Sequence, residues 1–141
     1  MKFPFFLALA AALLAGPAGA ADDNSLTVHL NGLKSAEGNV RVGLYADPQS
    51  FRKEARAFAI RQLPASPGRL DVRFTDLPPG RYAVMAYHDA DSNGELNRRF
   101  GMFPTEGYGL SNNPVISGPP AFAESAFEVA GSREIEIDIR Y

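Results

Sequence analysis

The chain has 141 residues, 45% of them hydrophobic, with no cysteine and 14 basic against 16 acidic residues. That length allows one domain with its own core, the lack of cysteine excludes a disulfide scaffold, and the mixed, slightly acidic charge excludes the basic stripe that nucleic-acid binding requires. Stability must come from packing, assisted by a bound ion where one is present.

At the amino terminus Lys2 precedes an apolar run over residues 3–14, a Gly16-Pro17 break and Ala18-Gly19-Ala20, the small-x-small pattern cut by signal peptidase. The run is about a dozen residues, short of the roughly 18–20 that span a bilayer, so no retained membrane anchor is expected. No cysteine follows it, which excludes lipid attachment through a lipobox-type cysteine. Cleavage near Ala20 assigns residues 1–20 to a signal peptide and 21–141 to one periplasmic or secreted domain. One basic residue and no acidic one leave with the signal, taking the net charge from −2 to about −3.

Strand signals begin at once. Leu26, Val28 and Leu30 alternate with Thr27, His29 and Asn31, and after a Glu37-Gly38-Asn39 turn Val40, Val42 and Leu44 alternate with Arg41, Gly43 and Tyr45. His29 falls on the polar face and is expected in solvent. Residues 48–59 are the one helical candidate, because Pro48 suits a first turn and Phe51, Ala55 and Phe58 fall near one face. Leu70, Val72 and Phe74 alternate with Asp71, Arg73 and Thr75. Leu77-Pro78-Pro79-Gly80 then leads into residues 81–88, apolar on both faces and so expected to form a central strand. Tyr82, two residues past Gly80, matches the corner tyrosine that ties off sandwich strands. A short strand is expected over 126–129, and Ile135, Ile137, Ile139 and Tyr141 alternate with Glu134, Glu136, Asp138 and Arg140. The expected fold is all-β: a single antiparallel β-sandwich of about seven strands, immunoglobulin/prealbumin-like, with one short helix and one long ordered loop over 89–122. The loop holds Phe100, Phe103, Tyr108 and Phe122, too many aromatics for a disordered segment.

That loop opens on His88-Asp89-Ala90-Asp91-Ser92-Asn93-Gly94-Glu95-Leu96-Asn97. Asp89, Asp91 and Asn93 at alternate positions before a glycine form the first half of an EF-hand-type calcium loop, since hard cations collect several oxygen ligands around a sharp turn. The second half differs. Position twelve is Phe100 instead of a bidentate glutamate, and Arg98 and Arg99 precede it. A calcium site would therefore use Asp89, Asp91 and Asn93 with Glu95 or the Asn97 carbonyl, and Glu106 folding back. The plainer alternative is a turn whose Asp and Asn side chains cap backbone amides.

Several segments together resemble the bacterial domain of unknown function 2141 family. They are Leu77-Pro78-Pro79-Gly80-x-Tyr82-Ala83, His88-Asp89, Asn93-Gly94-x-Leu96, Phe100-Gly101, Pro104-x-Glu106-Gly107-Tyr108-Gly109, Ser111-Asn112-Asn113, and Gly118-Pro119-Pro120 with Phe122. The resemblance implies an exported sandwich domain without an assigned activity. This chain departs from the family at Asn97, where an aspartate is common, and at Arg98 and Arg99, where neutral residues are. Both changes lower local cation affinity.

Other chemistries compete for the same loop. His88 beside two aspartates could hold a transition metal, or pair with Glu106 as general acid and base in a small envelope hydrolase. No cysteine, Gly-x-Ser-x-Gly or argued partner for Ser111 marks a nucleophile. Gly107 and Gly109 around Tyr108 allow close backbone approach, either for a ligand or for packing. Asn112-Asn113-Pro114 and Gly118-Pro119-Pro120 are turn signals. The leading reading is a non-enzymatic binding or assembly module with a calcium-stabilised loop. Its binding surface would comprise His88, Glu106, Tyr108, Ser111, Asn112 and Asn113, and its partner would be an envelope protein or glycan. A hydrolase and a purely structural envelope protein are the alternatives.

Overall fold

The computed structural model describes residues 24–99, 103–104 and 106–141, so the expected signal segment lies outside the described residues. In chain order the elements are β1 (Ser25–Leu33), β2 (Asn39–Tyr45), a single 3-10 turn (Glu54–Arg56), β3 (Ala59–Pro64), β4 (Gly68–Phe74) and β5 (Gly80–Asp89). There follow β6 (Arg98–Arg99), β7 (Phe103–Pro104), β8 (Tyr108–Leu110), α1 (Phe122–Ser125), β9 (Phe127–Val129) and β10 (Ser132–Asp138).

Eight of these strands make two sheets. One has the order β10-β1-β4, and the other the order β3-β2-β5-β8 with β9 also on β5, while β6 and β7 form a separate two-residue ribbon. Strand alternation sets which face is inward. Leu26, Val28 and Leu30 of β1 face Val40, Val42 and Leu44 of β2, and all six are fully buried with Phe74 and Val84 in one core cluster. Each such side chain contributes about 1.5–3 kcal/mol relative to exposure. The result is the expected sandwich, with antiparallel pairing everywhere except β1 with β10, which runs parallel from Ser25↔Ser132 to Asn31↔Asp138. The Tyr82 hydroxyl donates to the Pro78 carbonyl at 2.5 Å, closing the corner its position predicts.

β5 is buried on both faces because a second layer covers the outside of the larger sheet. Tyr45, Phe51, Ala83, Met85, Leu110 and Phe122 form a separate apolar cluster there. Phe51 bridges edge-on to Tyr45 at 5.6 Å and to Phe122 at 5.9 Å. Segment 48–59 supplies Phe51, but not from a helix as expected. Asp47 Oδ1 accepts the Ser50 N–H at 2.8 Å, Arg52 turns left-handed at φ 67, and Ala59 already begins β3. A left-handed residue breaks the run of helical dihedrals, so only the 3-10 turn survives. Phe58 is accordingly 48% exposed. The short helix stands at 122–125 instead, where it carries Phe122 onto this layer.

The 89–122 loop is ordered where described and, besides the β6–β7 ribbon, adds strand β8 to the larger sheet. β8 pairs Met85↔Leu110 and Tyr87↔Tyr108 on β5, and Tyr108 also exchanges backbone hydrogen bonds with Arg140 at 3.0 and 2.9 Å. A Cβ on Gly107 would collide with the Tyr141 ring, and one on Gly109 with Ile137 and the Asp138 carbonyl. The two glycines therefore serve chain packing. Among the described residues no helix is long and apolar enough to cross a membrane.

Candidate functional site

β5 ends on Asp89, opposite Asn39 at the start of β2. The turn before β2 lies directly on this junction: Gly38 has φ 66, and a Cβ there would strike the Asp89 and Ala90 carbonyl oxygens. Only glycine fits both requirements.

From this anchor the chain wraps around the Asp89 carboxylate, which is 2% exposed as a residue. Its Oδ1 accepts the Asn93 N–H at 3.1 Å and its Oδ2 the Gly94 N–H at 2.8 Å. Ser92 at φ 54 and Gly94 at φ 77 make the wrap possible. Asn93 Oδ1 accepts the Glu95 N–H at 2.9 Å. The Asn97 side-chain amide donates to Asp91 Oδ2 at 2.6 Å and accepts from Asn93 Nδ2 at 2.5 Å. Glu106 returns from sixteen residues away. Its Oε2 accepts the Ala90 N–H and its Oε1 the Asn97 N–H, both at 2.8 Å, so one carboxylate ties both ends of the turn.

Asp89, Asp91 and Glu106 thereby each bring a carboxylate oxygen within 4.8 Å of the other two. Ligands of one calcium ion at about 2.3–2.6 Å can stand up to about 5 Å apart, so this separation is compatible with a single ion. Accepting an N–H does not disqualify these oxygens, since each has a second lone pair. The Asn97 amide, followed by the Asn93 N–H, holds the Asp91 carboxyl below its ordinary pKa. Among the described residues no Lys, Arg or His forms an ion pair with any of the three carboxylates. Phe100 and the side chains of Arg98 and Arg99 lie outside the described residues.

Of the other proposed ligands, Asn93 and Asn97 hold the turn with their amides, and Glu95 extends exposed beyond the carboxylate cluster. His88 is 2% exposed, with Nε2 2.6 Å from the Glu37 carbonyl and Nδ1 2.7 Å from the Tyr141 hydroxyl. A carbonyl only accepts, so Nε2 carries a proton and donates to Glu37, while Nδ1 is taken up by the Tyr141 hydroxyl. Neither nitrogen addresses Glu106 or an aspartate, which leaves the acid–base pair and the transition-metal reading without geometry.

The rest of the expected binding surface is stitched into the fold. Ser111 is fully buried, its hydroxyl accepting the Val84 N–H at 2.9 Å and donating to the Ser125 carbonyl at 2.5 Å. Asn112 Nδ2 donates to the Glu124 and Ala126 carbonyls, and Asn113 bonds Glu136 and Asp138 of β10. Tyr108 is half-buried in β8. His29 corrects the expectation of an exposed ring: its side chain is 12% exposed and Nδ1 sits 2.6 Å from Asp71 Oδ1.

Sequence reasoning passed over one polar group on the outer face of the larger sheet. Glu54 accepts from Arg41 Nε and Nη2 at 3.2 and 3.0 Å and from the Tyr87 hydroxyl at 2.8 Å. Burial, followed by the hydrogen bond to Glu54, pushes the Tyr87 hydroxyl pKa well up, and burial pushes that of Tyr45 to about 12. Tyr87 on an otherwise apolar strand was the available signal; nothing in the sequence linked it to Glu54.

A family model described as an uncharacterized protein conserved in bacteria, DUF2141, matches residues 28–137, from within β1 to within β10. Neither a curated protein nor a solved structure matches the chain. The matched span covers both sheets, the acidic turn and the Glu106 return, and the chain belongs to the DUF2141 family.

Proposed function

We propose that the protein is an exported, non-enzymatic binding or assembly module whose 89–106 loop is ordered by calcium. The observation that carries this reading is the convergence of Asp89, Asp91 and Glu106 within 4.8 Å without a described counter-charge. Three carboxylates so placed repel one another, and a divalent cation relieves that cost while binding all three. Export is supported by the 1–20 segment alone. Envelope proteins or glycans are the partner classes this location would offer the loop.

Thermal melting with calcium titrated against magnesium at equal ionic strength tests the cation. Stabilisation should grow with calcium concentration over the dissociation constant, and magnesium, which demands stricter octahedral geometry, should give less. Equal shifts from both ions, or none, would leave the carboxylates as turn caps in a structural domain. Intact-mass measurement of periplasmic and culture fractions tests export, with a chain beginning at Ala21 as the expected product.

A further inference from the structure

A cleft of about 290 Å³ opens on the outer face of the larger sheet, between the 47–58 segment and the turn around Gly94. Its floor is Tyr45, Met85 and Tyr87; Arg52 and Glu54 stand on one side, Glu95 and Leu96 on the other. Gly43 shapes the floor: a Cβ there would collide with the Tyr45 ring, which folds back over the glycine.

The charges around the cleft are not equivalent. Glu54 is satisfied by Arg41 and Tyr87. The Arg52 guanidinium makes no hydrogen bond or ion pair among the described residues, and its Nε is buried without an acceptor. Buried polar groups almost always find partners, so a donor held this way is an unmet requirement. The Arg52 backbone is left-handed at φ 67, where glycine would be the stable choice. Backbone preference does not account for arginine at this position. Across the cleft the exposed Glu95 carboxylate also has no partner among the described residues. Among the described residues, one unpaired cation, one unpaired anion and the floor between them complement a ligand carrying both charges on an apolar body.

We propose that this cleft binds a small zwitterion of the amino-acid or dipeptide class, with its carboxylate on Arg52, its ammonium on Glu95 and its side chain against Met85 and Leu96. The planar guanidinium fork matches a carboxylate, and the size, at the lower end of ligand pockets, suits one or two residues. The proposal goes beyond the cation reading and does not require it.

The test is amide-shift NMR of the purified protein titrated with L-methionine and glycyl-L-methionine, compared with methionine methyl ester, N-acetylmethionine and glucose. Saturable shifts at residues 45, 52, 85 and 94–96 are expected for the two zwitterions, with each singly charged derivative bound about tenfold more weakly, one charged hydrogen bond having been lost. Arg52→Gly should lose about tenfold in affinity while its melting temperature stays level or rises, because glycine suits the left-handed backbone. Glu95→Gln, exposed and outside the core, provides a second variant and should weaken binding similarly with unchanged melting. Absence of saturable shifts, equal binding of the ester, the N-acetyl derivative or glucose, or wild-type affinity in either variant would overturn the proposal.

Discussion

Replacing Asp89 by Asn separates a cation ligand from a turn cap, because the two roles respond differently to calcium. Both Asp89 oxygens accept backbone N–H groups, at 3.1 and 2.8 Å. Asparagine keeps one acceptor and turns an NH2 toward the other donor, losing a charge-assisted hydrogen bond of about 1.5–3 kcal/mol. An opposing term is the relief of repulsion from Asp91 and Glu106, which approach within 4.8 Å. Like charges that close repel by about 1 kcal/mol even in water, and by more where water is excluded. In chelator the net destabilisation of Asp89→Asn should therefore be small, about 1 kcal/mol. In calcium at about 100 times its dissociation constant the wild type gains about 2.7 kcal/mol that the variant does not, so the gap widens to roughly 4 kcal/mol. For a domain of this size that is a widening of about 10 °C in melting temperature. The assay is a pair of melting curves per protein, one in chelator and one in about 10 mM calcium, which is 100-fold over a ~0.1 mM site. A gap of the same size in both buffers would refute the cation role and leave Asp89 as a cap.

Three further expectations concern the frame around the site. Gly38→Ala and Gly131→Ala both place a side chain on a left-handed backbone, at φ 66 and 87, but only the first meets backbone atoms. Each should lose about 1–2 kcal/mol for conformation, with Gly38→Ala losing about 1–3 kcal/mol more; equal urea midpoints would mean the turn does not press on the Asp89 junction. Ser111→Ala orphans the buried Val84 N–H and should cost about 1–3 kcal/mol in urea unfolding, whereas a neutral result would show that the hydroxyl is not the bond holding α1 to β5. The Asp71 carboxyl is held below its ordinary pKa by the His29 hydrogen bond first and by Arg69 second. A depressed folded pKa means that the unfolded chain binds the proton first, so this stabilisation is present above the ordinary value and is lost as pH falls through the folded one. The stability difference between wild type and Asp71→Asn should thus shrink between pH 5 and pH 3, and a difference independent of pH would contradict the assignment.

The sandwich was legible because its inward faces keep period two over Leu26, Val28 and Leu30, then Val40, Val42 and Leu44, all fully buried, and break it only at the register shift before Leu33. What failed to show followed from packing instead of pattern. β3 is an edge strand with a half-exposed Ala59-Ile60-Arg61-Gln62-Leu63-Pro64 sequence, so its alternation is weak. β8 is three residues long, and its Tyr108-Gly109-Leu110 forms a strand only because glycine lets β10 come close. The 48–59 segment shows apolar spacing at a helical period, yet its one buried apolar side chain, the others being half-buried or exposed, is Phe51, which a turn delivers as well as a helix would. Partner direction was equally hidden: alternation places β10 in a sheet but does not say that it runs parallel to β1.

The acidic turn shows the same division within one site. Asp89-x-Asp91-x-Asn93-Gly94 is a local signal, and the backbone does fold around the first carboxylate, with Gly94 donating to it at 2.8 Å. Position twelve is a different kind of criterion, because it assumes that the chain leaves the loop in a helix that carries a glutamate back. Here the chain leaves through the β6–β7 ribbon and returns at Glu106, whose two oxygens reach Ala90 and Asn97. A cation responds to oxygen positions and charge, not to sequence offset, so Phe100 at the twelfth position says only that the exit differs from an EF-hand. The relevant question becomes whether Glu106 is held in place without an ion. The two backbone N–H groups it accepts show that it has other work, which is why the calcium-dependent part of the Asp89→Asn difference, and not the total, decides between ligand and cap.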